Sequence, residues 1–221
     1  DELINWQEIS IALYPDMPYE NSGGCFSGSA IEKDGYLFLF YTSVSNELGQ
    51  TQSLAISEDG INFKKYYKNP IIIAPPNDGS SDFRDPKVTK INDNYYMVVG
   101  SGKDGIGKVL LYKSLDLFNW NYVGVLFQSE DFGAVLECPD FFYLNGKYVL
   151  MFSKMGLKTS STQFVVGDFE NEKFYPISYH SPEVGPQFYA PQTFLDKSGK
   201  RIMIGWLYDW SRELDNGADY A

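Results

Sequence analysis

Residues 137–151 read ECPDFFYLNGKYVLM. Aromatic and apolar residues fill both halves of this stretch, and Asn145-Gly146 separates the halves. An Asn-Gly pair between two such runs is typical of a tight β-hairpin. The stretch therefore predicts two antiparallel strands joined at residues 145 and 146.

The same strand–turn–strand pattern recurs along the chain of 221 residues. The other turns are expected at Asp34-Gly35, Asp93-Asn94 and Ser198-Gly199. Further short strands follow the hairpins, and no long stretch has the helical period. Four strands in a unit of about fifty residues are typical of a β-propeller blade.

We therefore predict an all-β fold, an incomplete β-propeller with three full blades and two partial ones. Residues 3–6, Leu-Ile-Asn-Trp, resemble residues 117–120, Leu-Phe-Asn-Trp, which close a blade. The chain is thus expected to be one propeller domain, 1–221, truncated at both ends. Its expected parts are a partial first blade at 1–16, blades near 25–70, 80–128 and 136–178, and a partial last blade at 188–221.

Composition excludes several classes of function. The chain has 18 Lys and Arg against 29 Asp and Glu, a net charge of −11, which argues against nucleic-acid binding. The longest apolar run, Tyr36–Tyr41, is far too short to span a membrane. Two cysteines, Cys25 and Cys138, make no disulfide framework, and with the single His180 they predict no metal site.

Two acidic residues hold similar places in the repeat. Asp85 stands eight residues before Asp93, and Glu137 stands eight residues before Asn145. Equal offsets predict equivalent positions, so in a propeller both carboxylates would face the central axis. Glycoside hydrolysis uses a pair of carboxyl groups that face one cavity.

The same offset predicts the walls of the cavity. Eight residues before the other two turns stand Phe26 and Ala190, beside Ser27 and Tyr189. These positions should face the axis as well, and aromatic rings there could pack against a sugar. Trp206 could line the cavity from the last partial blade.

Several motifs, taken in order, resemble glycoside hydrolase family 32, the invertase and fructanase group. The matching stretches are residues 5–6 (NW) with 12–16 (ALYPD), 26–29 (FSGS), 57–60 (SEDG), 83–88 (FRDPKV), 137–140 (ECPD), and 188–194 (FYAPQTF) with 204–206 (IGW). The resemblance implies a five-bladed propeller, a β-sandwich after it, and a retaining mechanism that uses three acids and no cofactor.

The resemblance also implies roles for particular residues. Glu137 matches the general acid/base and Asp85 the transition-state stabiliser. Arg84, Phe26 and Ser27 match residues that contact the sugar, a role we also expect for Tyr189 and Trp206. The family's nucleophilic Asp lies in a Trp-Met-Asn-Asp-Pro-Asn-like motif that this sequence lacks, so we expect it upstream of Asp1 and the chain alone to be impaired.

The predicted function is retaining hydrolysis of terminal β-D-fructofuranosides, with sucrose, a fructo-oligosaccharide or a fructan as partner. One alternative is a non-catalytic carbohydrate-binding propeller, and another is a related glycosidase acting on arabinosides or xylosides. The sequence leaves the oligomeric state open, and of the possible compartments it slightly favours the cytoplasm over secretion.

Overall fold

A computed structural model describes residues 3–155, 162–182 and 188–207. Apart from one short 3₁₀-helix, Pro18–Glu20, the regular structure of these residues is β-strand. None of their helices is long or apolar enough to cross a membrane.

Fourteen strands form four antiparallel sheets, which we name blades A to D. Blade A contains β1 (Gly24–Lys33), β2 (Tyr36–Ser45), β3 (Gly49–Ser57) and β4 (Lys64–Lys65). Blade B contains β5 (Phe83–Ile91), β6 (Asn94–Lys103), β7 (Ile106–Ser114) and β8 (Asn121–Ser129). Blade C contains β9 (Leu136–Leu144), β10 (Lys147–Lys154), β11 (Thr162–Glu170) and β12 (Lys173–His180). Blade D contains β13 (Phe188–Leu195) and β14 (Arg201–Leu207).

This architecture is that of a β-propeller, as the sequence predicts, and the described residues form four blades of the five-bladed fold that the family resemblance implies. Within each blade the strands pair in chain order, and the first strand of each blade contacts the first strand of the next. These first strands, β1, β5, β9 and β13, therefore lie side by side and line the same space. Residues 3–17 form no strand, so the assignment of 1–16 to a blade stays a prediction, and residues 208–221 of the predicted last blade lie outside the described residues.

The hydrophobic core lies between neighbouring blades. One cluster joins blades A and B around fully buried side chains such as Phe40, Leu54 and Met97. A second cluster joins blades B and C around Phe141 and Phe152. Because the second strands of blades A, B and C are largely buried on both faces, β2, β6 and β10 contain near-continuous apolar runs.

Two of the predicted turns have the backbone that their residues favour. Asp34-Gly35 and Asn145-Gly146 both have positive φ at each position, as a two-residue type I′ hairpin requires. In blade B the turn falls at Asn92-Asp93, one residue earlier than predicted, and Asn92 adopts the left-handed conformation with φ 54°.

Candidate active site

Each inner strand of blades B, C and D carries a β-bulge built around a proline. Pairing skips residues 85–86 on β5, 138–139 on β9 and 190–191 on β13. The second skipped residue in each is Pro86, Pro139 or Pro191. Proline has no N–H to donate to the ladder, so the pairing breaks there in all three blades.

The residue before each proline has a left-handed backbone. The φ angles of Asp85, Cys138 and Ala190 are 63°, 49° and 50°. Positive φ is uncommon for residues other than glycine and stores strain, which is frequent at functional sites. Its repetition at one position of three blades indicates that the bulges serve to aim side chains.

The bulges correct the predicted equivalence of the two acids. Asp85 occupies the same bulge position as Cys138, whereas Glu137 is the last paired residue before its bulge, as Arg84 and Tyr189 are before theirs. The prediction that Asp85 and Glu137 are equivalent is thus wrong by one residue. For this pair the error comes from the turn of blade B, which falls one residue before the Asp93 from which the offset was counted. The inner strands also differ in length between bulge and turn. Six paired residues follow the bulge at 26–27 on β1, five follow the bulges on β5 and β9, and four follow the bulge on β13, so a fixed offset from the turn does not mark the same position in every blade.

The three side chains before the bulges meet at the carboxylate of Glu137. Arg84 donates from Nε and Nη2 to Glu137 Oε1, at 2.9 and 2.7 Å. The hydroxyl of Tyr189 donates to Glu137 Oε2. Both oxygens of Glu137 are therefore held, each by a group from a different neighbouring blade.

Arg84 is itself anchored from blade A and from the loop residue Asp82, directly before its own strand. Its Nη1 donates to Asp82 Oδ1 at 2.6 Å and to Gln50 Oε1 at 3.2 Å. Burial opposes the charge, but the hydrogen bonds to Asp82 and Glu137 outweigh it and raise the pKa of the guanidinium. Arg84 thus stays a cation.

The carboxylate of Asp85 is almost fully buried, with the residue 6% exposed. Ser27 Oγ donates to its Oδ1 at 3.0 Å, and the backbone N–H of Cys138 donates to its Oδ2 at 2.9 Å. Burial raises the pKa of Asp85, although the hydrogen bonds from Cys138 and Ser27 act in the opposite direction. The backbone N–H of Asp85 donates to Thr42 Oγ1 at 3.0 Å, which fixes the strained residue.

Tyr189 and Cys138 both stay protonated in this setting. Burial, followed by the hydrogen bond to Glu137, raises the pKa of the Tyr189 phenol. Burial, followed by the negative charge of Asp85, raises the pKa of the Cys138 thiol. Each can therefore act as a hydrogen-bond donor to its carboxylate at neutral pH.

These groups line one cavity of about 380 Å³, on the side of the blades that carries the inner strands. All seven residues predicted from the sequence contribute to its wall: Phe26, Ser27, Arg84, Asp85, Glu137, Tyr189 and Trp206. Gly28, Cys138, Ala190 and Gln192 complete the lining.

Gln192 is one of the lining residues that the sequence did not predict. Its Nε2 donates to the carbonyl oxygens of Cys138 and Pro139, at 3.1 and 3.2 Å, and so supports the bulge that follows Glu137. The signal available was its place directly after Pro191, where the other blades have Lys87 and Asp140.

Arg84→Ala is expected to lower the free energy of unfolding by about 3 kcal/mol, because it leaves the largely buried carboxylate of Glu137 without its cation. Urea unfolding measures the effect. Lys147→Ala is the matched control, since the Lys147–Asp168 pair is 45% and 42% exposed, and its loss should stay within about 0.5 kcal/mol. Equal losses in the two variants would contradict a structural role for the Arg84–Glu137 pair.

Among the described residues, no group of three or more His, Cys, Asp and Glu side chains could hold a metal ion. The carboxylates that line the cavity in this part of the chain, Asp85 and Glu137, are held by hydrogen-bond donors of the protein instead. What the arrangement offers is acid–base chemistry and hydrogen bonding to a polar ligand.

Comparison with known proteins gives a consistent result. Residues 1–220 match the family described as the glycosyl hydrolases family 32 N-terminal domain. Over 97% of its length the chain is 37% identical to a sucrose-6-phosphate hydrolase from Escherichia coli, of which it covers 48%. It thus spans about half the length of the curated relatives it matches.

Solved structures agree in fold. A GH32 beta-fructofuranosidase from Bombyx mori superposes with a TM-score of 0.77 at 36% identity, over 87% of this chain and 45% of that one. A fructan 1-exohydrolase IIa variant from Cichorium intybus, in complex with 1-kestose, gives 0.82 at 27% identity, over 93% of this chain and 44% of that one.

Proposed function

Because the chain belongs to glycoside hydrolase family 32, we propose that its cavity binds a terminal β-fructofuranosyl unit and takes part in retaining hydrolysis of sucrose or fructans. The observation that carries the proposal is the cavity itself, where Glu137, held by Arg84 and Tyr189, and the buried Asp85 share one wall. The substrates that the relatives' names indicate differ from one another, but each contains a fructosyl group.

Glu137 is proposed as the general acid/base. Arg84 offers only donors to Oε1, so a proton on the carboxyl group belongs on Oε2, beside the hydroxyl of Tyr189. That hydroxyl can accept from the acid and donate to the carboxylate. Glu137 could thus protonate the leaving oxygen and then, once ionised and stabilised by Arg84, take a proton from water.

Asp85 is proposed as the group that binds the sugar ring in the transition state. A fixed negative charge stabilises the positive charge that develops on an oxocarbenium-like sugar, and it also accepts hydrogen bonds from ring hydroxyls. Ser27 and the Cys138 N–H hold the Asp85 carboxylate in one orientation, so little reorganisation is needed during reaction. Phe26 and Trp206 would provide the apolar wall of the cavity.

A binding-only function is the second candidate. The proposed mechanism uses three carboxylates, whereas the described lining of the cavity supplies Asp85 and Glu137. A carbohydrate-binding module would need no third acid.

Calorimetry and turnover together separate these functions. We expect fructose or sucrose to bind the chain, arabinan and xylan oligomers not to bind, and the complete gene product that contains the chain to hydrolyse sucrose or a fructan. Fructoside binding without turnover by the complete product would favour the binding module. Absence of fructoside binding and turnover in both forms would overturn the proposal.

A further inference from the structure

Asp140 carries a fully buried carboxylate beside the cavity, three residues after Glu137 on β9. Its Oδ2 accepts two hydrogen bonds at 2.7 Å, one from the backbone N–H and one from the hydroxyl of Thr193 on β13. Its Oδ1 has no partner among the described residues. Asp140 therefore ties the inner strand of blade C to the inner strand of blade D.

Lys87, on the inner strand of blade B, also holds Thr193. Its Nζ donates to the carbonyl oxygen of Thr193 at 2.7 Å and lies 3.5 Å from Asp140 Oδ2. Burial lowers the pKa of Lys87, and the charge of Asp140 opposes that effect. The N–H, the hydroxyl and the carbonyl of Thr193 are thus all held by a buried ion pair.

The junction between blades A and B makes an equivalent link without charge. Val88 and Thr193 are both the second paired residue after their bulges. The N–H of Val88 donates to the hydroxyl of Ser29 at 3.0 Å, where Thr193 meets the carboxylate of Asp140. A serine is therefore enough to dock two inner strands, and a buried charge carries a desolvation cost that docking alone does not require.

The junction between blades C and D differs from that between blades A and B in a further contact, to Glu137, which is made by the residue four positions before Thr193. There the hydroxyl of Tyr189 reaches Glu137 Oε2, while a shift of β13 along its axis would carry Tyr189 away from Glu137. We propose that Asp140, paired with Lys87, is a positioning residue that fixes Thr193 and thereby holds Tyr189 against the acid/base. The inference rests on the proposed role of Glu137.

A double-mutant cycle with Tyr189→Phe tests this link in the complete gene product. Asp140→Asn keeps the side-chain size and an acceptor for Thr193 but removes the charge that faces Lys87. We expect it to lower kcat/KM for sucrose or a fructan roughly tenfold, the scale on which small misplacements act. In the Tyr189→Phe background the same change should cost less than about twofold, because the contact it protects is already lost.

Asp168→Asn is the control, since Asp168 belongs to blade C and pairs with a lysine at the surface. It should leave kcat/KM unchanged in both backgrounds. If Asp140→Asn does not fold, as judged by its thermal unfolding, Thr193→Ala is the second variant. It removes one of the two bonds to Asp140, together with the bond that the Thr193 hydroxyl accepts from Arg201, and should give a smaller loss that is again absent beside Tyr189→Phe.

An equal loss from Asp140→Asn in both backgrounds would overturn the inference, because the residue would then support the fold without acting through Tyr189. No loss in either background would overturn it too. An inactive parent protein would be a different failure, that of the proposed function, and the inference would fall with it.

Discussion

Glu137→Gln is expected to slow the hydrolysis of sucrose or fructans by about 10²–10⁴-fold, the range that a positioned general acid/base contributes. Glutamine keeps the shape of the side chain, and its amide oxygen can still accept from Arg84. It cannot give a proton to the leaving oxygen or take one from water. The measurement is kcat and KM of the complete gene product with sucrose and with inulin.

The leaving group provides the sharper test of the role of Glu137. A fructoside with an activated aryl leaving group needs little protonation, so its departure should suffer far less in the variant than the departure of glucose from sucrose. Glu170→Gln, at an exposed position of the same blade, controls for the loss of one acid and should match the parent. An equal loss with both leaving groups would show that Glu137 does not protonate the departing oxygen.

The predicted fold and the gathering of the site residues came from repetition in the sequence. Each blade needs the same turn, the same apolar runs and the same inner strand, so the period and the turn dipeptides are visible without any tertiary information. Residues at the same offset, such as Phe26, Asp85 and Glu137, were therefore expected to face one axis, and the structure brings them into one cavity.

The offset failed because the inner strands differ in length between bulge and turn: six paired residues follow the bulge on β1, and five follow it on β5 and β9. In blade B the turn was also placed one residue late, because two adjacent dipeptides there can both form a turn. Asn92-Asp93 and Asp93-Asn94 have similar turn propensities, and only the conformation of Asn92 decides between them. Alignment on Pro86, Pro139 and Pro191 gives the correct register, because the missing N–H of proline fixes the bulge whatever the turn does. A proline that interrupts a strand is thus the stronger marker of equivalence in this chain.

The contacts that hold the site could not be predicted in this way. Tyr189 meets Glu137, and Asp140 meets Thr193, across a blade boundary. Both contacts depend on the position of one inner strand along the propeller axis relative to the neighbouring inner strand. The repeat in the sequence defines the strands of each blade. The position of one blade along the propeller axis relative to the next depends instead on side-chain packing and on contacts between blades, such as that of Lys87.

Asp85→Asn is expected to reduce activity and to increase stability. Activity should fall because the variant lacks the fixed negative charge; kcat/KM should decrease about 10²–10³-fold, as when one preorganised group for a developing charge is lost. Stability should rise at neutral pH because a buried amide replaces a buried carboxylate whose pKa is raised, chiefly by desolvation.

The pH dependence of stability separates this explanation from a general repacking effect. With its pKa raised above the ordinary value of 3.8, Asp85 binds a proton more readily in the folded chain than in the unfolded one. Its contribution therefore destabilises the folded chain as pH rises from that ordinary value through the raised one. In urea unfolding between pH 4 and 7, the advantage of Asp85→Asn over the parent should grow with pH and level off above the raised pKa. Asp93→Asn, an exposed turn residue of the same blade, controls for the change in net charge and should show no such trend. If the advantage instead shrinks with rising pH, the folded chain favours the ionised form of Asp85, and the hydrogen bonds from Ser27 and Cys138 outweigh burial.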